Sequence, residues 1–191
     1  MVESLSGYLA QMLNSRQLDL AVLFDSDPGR RWSVVPLVQE KLFLIRSRTA
    51  KGKPLPARLQ IADLKNLPLI LPSESHGLRR TLDRAFSSVR LRWLAPMEVD
   101  SLPMLLDAVR AGLGCTIQPG AALARLRDAD TAFDVVELSD VRLQRLNSLC
   151  SLSNEELSPA ALGVRATLAS CARELVENGQ WIGASIRHLE P

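Results

Sequence analysis

Pro68-Leu69-Ile70-Leu71-Pro72-Ser73-Glu74-Ser75-His76-Gly77-Leu78 is the stretch on which the reading of this chain turns. Its first part is a short apolar run between two prolines, the length of a buried strand and too short for a helix. Past the polar Ser-Glu-Ser-His-Gly segment, Leu78, Leu82, Ala85, Phe86 and Val89 recur with a 3.6-residue period, which predicts an amphipathic helix. A strand that feeds a helix through one polar turn is the repeating element of α/β architecture.

The same alternation continues in both directions. Toward the N-terminus, Leu5, Leu9, Met12 and Leu13 share one helical face, with Ser4 available as N-cap. Leu18-Asp19-Leu20-Ala21-Val22-Leu23-Phe24 follows as a buried strand, stopped by the turn formers Asp25-Ser26-Asp27-Pro28-Gly29. Trp32 to Ile45 reads as a long extended stretch interrupted by Pro36, residues 49–56 as an exposed loop, and Ile61-Ala62-Asp63-Leu64 as one helical turn.

Toward the C-terminus, Leu91 to Met97 is extended, and Ser101 can cap a helix striped by Leu102, Leu105, Leu106 and Val109, with Gly112 ending it. Cys115-Thr116-Ile117-Gln118 is a strand closed by Pro119-Gly120. Residues 121–126 suit a short helix, Phe133 to Leu138 a strand, and Leu146 to Leu152 a further strand. Ser158 and Pro159 open the last helix as N-cap and N1. Its inner face is expected to carry Val164, Leu168, Cys171, Ala172 and Leu175, and Asn178-Gly179 ends it.

Composition narrows the function classes. Nearly half of the 191 residues are apolar, enough for a real core in one domain or two small lobes. The net charge is only +2, with both signs interspersed, and aromatics make up 4%, a poor match to a nucleic-acid surface. Apolar runs fall short of the roughly 18–20 residues that span a bilayer, and Met1-Val2-Glu3-Ser4 starts no signal peptide. These features predict a cytoplasmic chain without membrane contact. Cys115, Cys150 and Cys171 are odd in number and set among apolar residues, so they read as buried free thiols.

Three groups of segments, taken in order and spacing, resemble the effector-binding (substrate-binding) domain of LysR-type transcriptional regulators over essentially the whole chain. The first is Leu18-Asp19-Leu20-Ala21-Val22. The second is Pro36-Leu37-Val38-Gln39-Glu40-Lys41-Leu42-Phe43-Leu44-Ile45 with Ile61 to Leu64 and Pro68 to Leu71. The third is Glu98-Val99-Asp100-Ser101 with Val109-Arg110-Ala111-Gly112-Leu113-Gly114 and Ile117-Gln118-Pro119.

The resemblance implies an α/β fold of two Rossmann-like lobes joined by two crossovers, similar to a type 2 periplasmic binding protein. Residues 1–67 and 145–191 would form lobe I and residues 68–144 lobe II, with a small, anionic effector between them. It also implies that DNA is bound only through a winged helix-turn-helix head absent from this sequence. The linker helix and the first strand and helix of the sensing domain are expected to be absent with it, leaving lobe I incomplete. The full-length regulator would be a homo-oligomer whose equilibrium the effector shifts by its differential affinity. The alternative reading is a solute-binding protein of the same fold serving a transporter.

Residues that could carry chemistry gather at strand ends. The start of the helix at residue 77 offers free N–H groups and a favourable dipole for an anion, with Ser73, Ser75, His76 and Gly77 beside it. Against this, Ser75 as a simple cap and His76 in solvent explain the same residues. Ser101 is either a cap or a ligand contact. Thr116 and Gln118 end a strand, where ligands of open α/β sheets bind, and Phe24 ends another but equally suits core packing. Gly112 and Gly114 follow a helix, so they are no nucleotide fingerprint. Arg79, Arg80 and Arg84 read as a solvated helix face rather than a subunit contact or a clamp for an acidic ligand. With only His76 and His188, no HExxH or CxxC, and no nucleophile elbow, the residues assemble no catalytic set, no metal site and no cofactor.

Overall fold

A computed structural model describes residues 1–191 apart from 5, 25–31, 51–53, 93, 125, 154 and 187–191, and no side chain of 94–96. The chain divides into two compact units, unit 1 (Met1–Glu40 and Arg145–Pro191) and unit 2 (Lys41–Gln144).

In unit 1, helix α1 (Ser6–Asn14) buries Leu13 and leads into strand β1 (Leu20–Phe24). The cap position of α1 and the turn expected at residues 25–29 lie outside the described residues. Strand β1 pairs antiparallel with β8 (Gln144–Ser151), from Leu20 opposite Ser151 to Phe24 opposite Asn147. Beyond β8 lies β2 (Ser33–Ser47), which runs through Pro36 because the fixed φ of proline fits an extended chain. Strand β9 (Ala184–Ile186), short and without a sequence signal, pairs with Val38 to Glu40 of β2. Alternation sorts the two faces of β1 and β8. Leu13, Ala21, Leu23 and Cys150 pack on the α1 side, and Leu37, Val38, Leu149 and Ala172 pack on the side of α5 (Pro159–Glu177).

Helix α5 begins as the sequence predicts. Ser158 accepts a hydrogen bond from Ala161 N–H at 3.2 Å, and Pro159 holds N1. Its buried stripe differs from expectation, since Ala161 and Ala172 face inward while Val164, Cys171 and Leu175 are exposed. Leu168 and Ala172 pack toward the sheet as expected, with Val176 beside them, while the other expected members of the stripe are turned outward. Cys171 is therefore no core thiol, whereas Cys115 and Cys150 are buried.

Unit 2 is built on the lower half of β2. This segment pairs antiparallel on one side with β6 (Cys115–Pro119) and on the other with β7 (Phe133–Leu138). That pairing draws residues 41–67 into unit 2, where the sequence reading put them with lobe I. Strand β4 (Pro68–Leu71) runs parallel to β6 and to β5 (Leu94–Glu98), and β3 (Arg58–Leu59) runs parallel to β7. Helix α2 (Gly77–Ser88) buries Leu78, Leu82, Ala85 and Phe86 against Leu42, Leu44, Leu69, Leu71 and Ile117. On the opposite face α3 (Leu102–Arg110) packs Leu105, Leu106 and Val109 against Ile45, Ile70 and Phe133, while Leu102 stays exposed. The expected turn at Ile61–Leu64 and the segment Gly120–Leu123 are 3-10 turns, and a one-turn helix α4 (Ala129–Ala132) precedes β7. Burial of each large aliphatic side chain stabilises these layers by about 1.5–3 kcal/mol.

Gly112 has φ +76°, the left-handed geometry that ends α3, and Gly114 is fixed by space. A Cβ on Gly114 would lie 2.5 Å from the Pro68 carbonyl oxygen and 2.9 Å from Ile70 Cγ1, so the glycine lets β6 close on β4. Gly114→Ala is expected to destabilise the protein by about 1–3 kcal/mol through overpacking against backbone. Gly163→Ala, at a helical site with nothing within 4 Å of the added carbon, should instead stabilise it by up to about 1 kcal/mol. Urea unfolding midpoints check both, and equal shifts in one direction would contradict this packing.

Candidate functional site in unit 2

Parallel pairing brings the carboxyl ends of β4 and β5 to one edge, and each strand is followed there by a polar turn. Ser73 follows β4 and Asp100 follows β5. The Ser73 backbone N–H donates to Asp100 Oδ1 at 2.8 Å, and the Ser73 hydroxyl donates to Oδ2 at 2.9 Å. Ser73 and Ser75 share a hydroxyl–hydroxyl hydrogen bond of 2.9 Å. His76 Nε2 lies 3.3 Å from Asp100 Oδ1, an ion-pair separation without the alignment of a hydrogen bond, so this buried ring nitrogen has no hydrogen-bond partner.

These facts differ from the cap-and-solvent reading of the same residues. His76, and not Ser75, occupies the N-cap position of α2, and neither supplies a side-chain cap. His76 does not project into solvent, since its side chain is only 17% exposed. Ser101 holds the N-cap position of α3, again without a side-chain cap. Gly77 is buried at the first position of α2.

Thr116 and Gln118 belong to β6, beside β4. With Leu69 level with Cys115, Gln118 is carried to the height of Pro72, next to the same turn. Thr116 is wholly buried and accepts from Gln118 Nε2 at 3.4 Å, so it bears on the edge through Gln118. Phe24 lies in unit 1, where the Arg145 guanidinium sits 3.8 Å from its ring centroid. The structure thus assembles Ser73, Ser75, His76, Gly77, Ser101 and Gln118 at one sheet edge.

Two residues of this edge lacked a distinctive sequence signal. Asp100, next to the expected cap Ser101, consumes the Ser73 donors that an anion would otherwise use. Arg79 was expected on a solvated face but is buried, bonding Glu98 at 2.6 Å, Asp83 at 3.1 Å and the Pro72 carbonyl at 3.1 Å. It thereby ties the turn after β4 to the end of β5. Its i,i+4 spacing to Asp83 is visible in sequence, and its distant partner Glu98 is not. Burial pushes the Cys115 thiol up to about 11, so it stays protonated and unreactive at neutral pH.

The two hydrogen bonds from Ser73 hold the Asp100 carboxyl below its ordinary 3.8. Folding lowers this pKa, so the carboxylate stabilises the fold above that value and the contribution disappears as pH falls through the folded-state pKa. Wild type should therefore exceed Asp100→Asn in urea resistance at pH 6, with the gap narrowing steadily below pH 3.8. A gap independent of pH would show that Asp100 titrates identically folded and unfolded.

Comparison with known proteins returns one family model, the LysR substrate binding domain, matched by residues 1–176. The nitrogen assimilation regulatory protein nac of Escherichia coli (strain K12) is 27% identical over 180 residues, covering 94% of this chain and 57% of the relative. The HTH-type transcriptional regulator BbuR of Bordetella bronchiseptica is 33% identical over 116 residues, covering 61% of this chain and 35% of the relative. The chain thus spans little more than half the length of the first of these. Among solved structures, the effector binding domain of QuiR in complex with shikimate has a TM-score of 0.75 at 18% identity, covering 90% of this chain and 79% of that one. The Synechocystis PCC6803 CcmR regulatory domain in complex with 2-PG has a TM-score of 0.78 at 15% identity, covering 90% and 82%.

Proposed function

Because this chain belongs to the LysR substrate-binding domain family, we propose that it senses a small polar metabolite at the sheet edge formed by the ends of β4, β5 and β6. The observation that carries this reading is the hydrogen-bonded cluster of Ser73, Ser75, His76 and Asp100 beside the start of α2. Such a cluster offers a ligand a hydroxyl on Ser75, the unpaired Nε2 of His76 and main-chain donors. Gln118, held by Thr116, adds an amide at the same level. Asp100 already neutralises part of the positive potential there, which favours a ligand that pairs hydroxyl or amine groups with its negative charge.

In the longer protein, the metabolite would shift an equilibrium between states of a homo-oligomer and so alter how a DNA-binding head engages its sites. The site would work in the cytoplasm, where the DNA is. The domain has no catalytic part in this scheme. The regulators among its relatives favour this reading over a solute-binding protein serving a transporter.

The test is a thermal-shift screen of polar metabolites on the 191-residue chain, followed by calorimetric titration of any that stabilise it. Ser75→Ala removes a direct contact, and Thr116→Val releases Gln118 from its support. Each is expected to weaken binding about tenfold, the worth of one lost hydrogen bond to a charged or polar ligand. Unchanged affinity in both variants would remove this edge from the ligand site.

A further inference from the structure

Unit 1 contains a set of buried polar groups that its own fold leaves unspent. Asn147 of β8 is 1% exposed, and neither its Nδ2 nor its Oδ1 has a hydrogen-bond partner. An amide buried in this way costs free energy unless something pairs with it. Two residues earlier on the same face of β8 stands Arg145, 9% exposed. Its Nε donates to Glu40 Oε2 at 2.6 Å, and its guanidinium lies against the Phe24 ring, 3.8 Å from the centroid. Phe24 is the direct cross-strand partner of Asn147, so the ring, the amide and the guanidinium share one face.

The guanidinium is held firmly. Glu40 is 1% exposed, and its other oxygen accepts from Trp181 Nε1 at 2.7 Å, so the carboxylate that anchors Arg145 is itself fixed. Among the described residues, none accepts a hydrogen bond from Arg145 Nη1 or Nη2. The equally buried Arg79 makes the contrast, for it engages Glu98, Asp83 and a main-chain carbonyl. Arg145 thus presents the end of its fork, the geometry that pairs with a carboxylate, next to an amide that can both donate and accept.

We propose that Arg145 and Asn147 form a binding site in unit 1 for a small carboxylate bearing an adjacent hydroxyl or amino group. The carboxylate oxygens accept from Arg145 Nη1 and Nη2 and from Asn147 Nδ2, and the neighbouring hydroxyl or amine donates to Asn147 Oδ1. Phe24 sets the plane of the guanidinium and so the direction of approach. A simple carboxylate satisfies only half of the Asn147 amide, which gives the site its preference. Its residues all belong to unit 1, and none belongs to the turn cluster of unit 2.

Lactate and acetate serve as probes on the 191-residue chain, read by thermal unfolding and by the side-chain nitrogen resonances of Asn147 and Arg145. Lactate is expected to raise the unfolding midpoint and move both resonances, with acetate binding about tenfold more weakly for lack of the hydroxyl. Asn147→Leu separates a binding role from a structural one. It should melt above wild type, because an unpaired buried amide is gone, while losing the response to lactate. The proposal is overturned if Asn147→Leu melts below wild type and still responds to lactate, or if lactate moves neither resonance.

Discussion

A single buried ion pair marks the points where the chain leaves unit 1 and returns to it. Glu40 is the last residue of the first segment and Arg145 the first of the second, and their side chains meet at 2.6 Å. Burying two charges is justified energetically only when the geometry is good and the remaining lone pairs are used, and here the second Glu40 oxygen takes the Trp181 indole N–H. Removing one member of such a pair typically costs about 3–5 kcal/mol, because the other is left charged and dry. The pair therefore couples β2, β8 and the segment after α5, and through the ring of Phe24 it reaches the end of β1. A hydrophobic substitute of similar volume would pack there but would not fix the direction of a guanidinium.

Unit 2 reaches a comparable result by different means. Its strands β4 and β6 sit in a core of leucine and isoleucine side chains between helices α2 and α3, and β5 pairs parallel with β4 beside them. Parallel pairing aligns the strand ends, and alignment turns three separate turns into one polar edge. The hydrogen bonds of Asp100 to Ser73 and of Arg79 to Glu98 and Pro72 then lock those turns against one another. The edge is consequently a mixed surface of hydroxyl, imidazole, carboxylate and amide, where a bare helix N-terminus would have been a simple anion site.

The regular parts of this architecture were legible in the sequence. Strand β4 and strand β7 match their expected bounds, and the α5 cap falls on Ser158 and Pro159, because length, periodicity and capping chemistry are local properties. Strands β3 and β9 were not legible, being two and three residues long and existing only through pairing with distant partners. The outward turn of Val164, Cys171 and Leu175 was misread because periodicity locates an apolar stripe without saying which stripe the sheet selects. At the proposed sites, residue type singled out Ser73, Ser75, His76 and Gln118 as candidates. Asp100, Glu40 and Asn147 escaped notice, since their significance lies in burial and in partners 27 to 141 residues away along the chain, or in having none.

The central question is where a metabolite touches the chain. Backbone amide resonances of the 191-residue protein, followed during titration with a stabilising metabolite, address this directly. The amides of residues 73–78, 100–102 and 116–118 are expected to move together and saturate at one concentration. Perturbations gathered on the outer face of α5, with those amides unmoved, would contradict a ligand site at this edge.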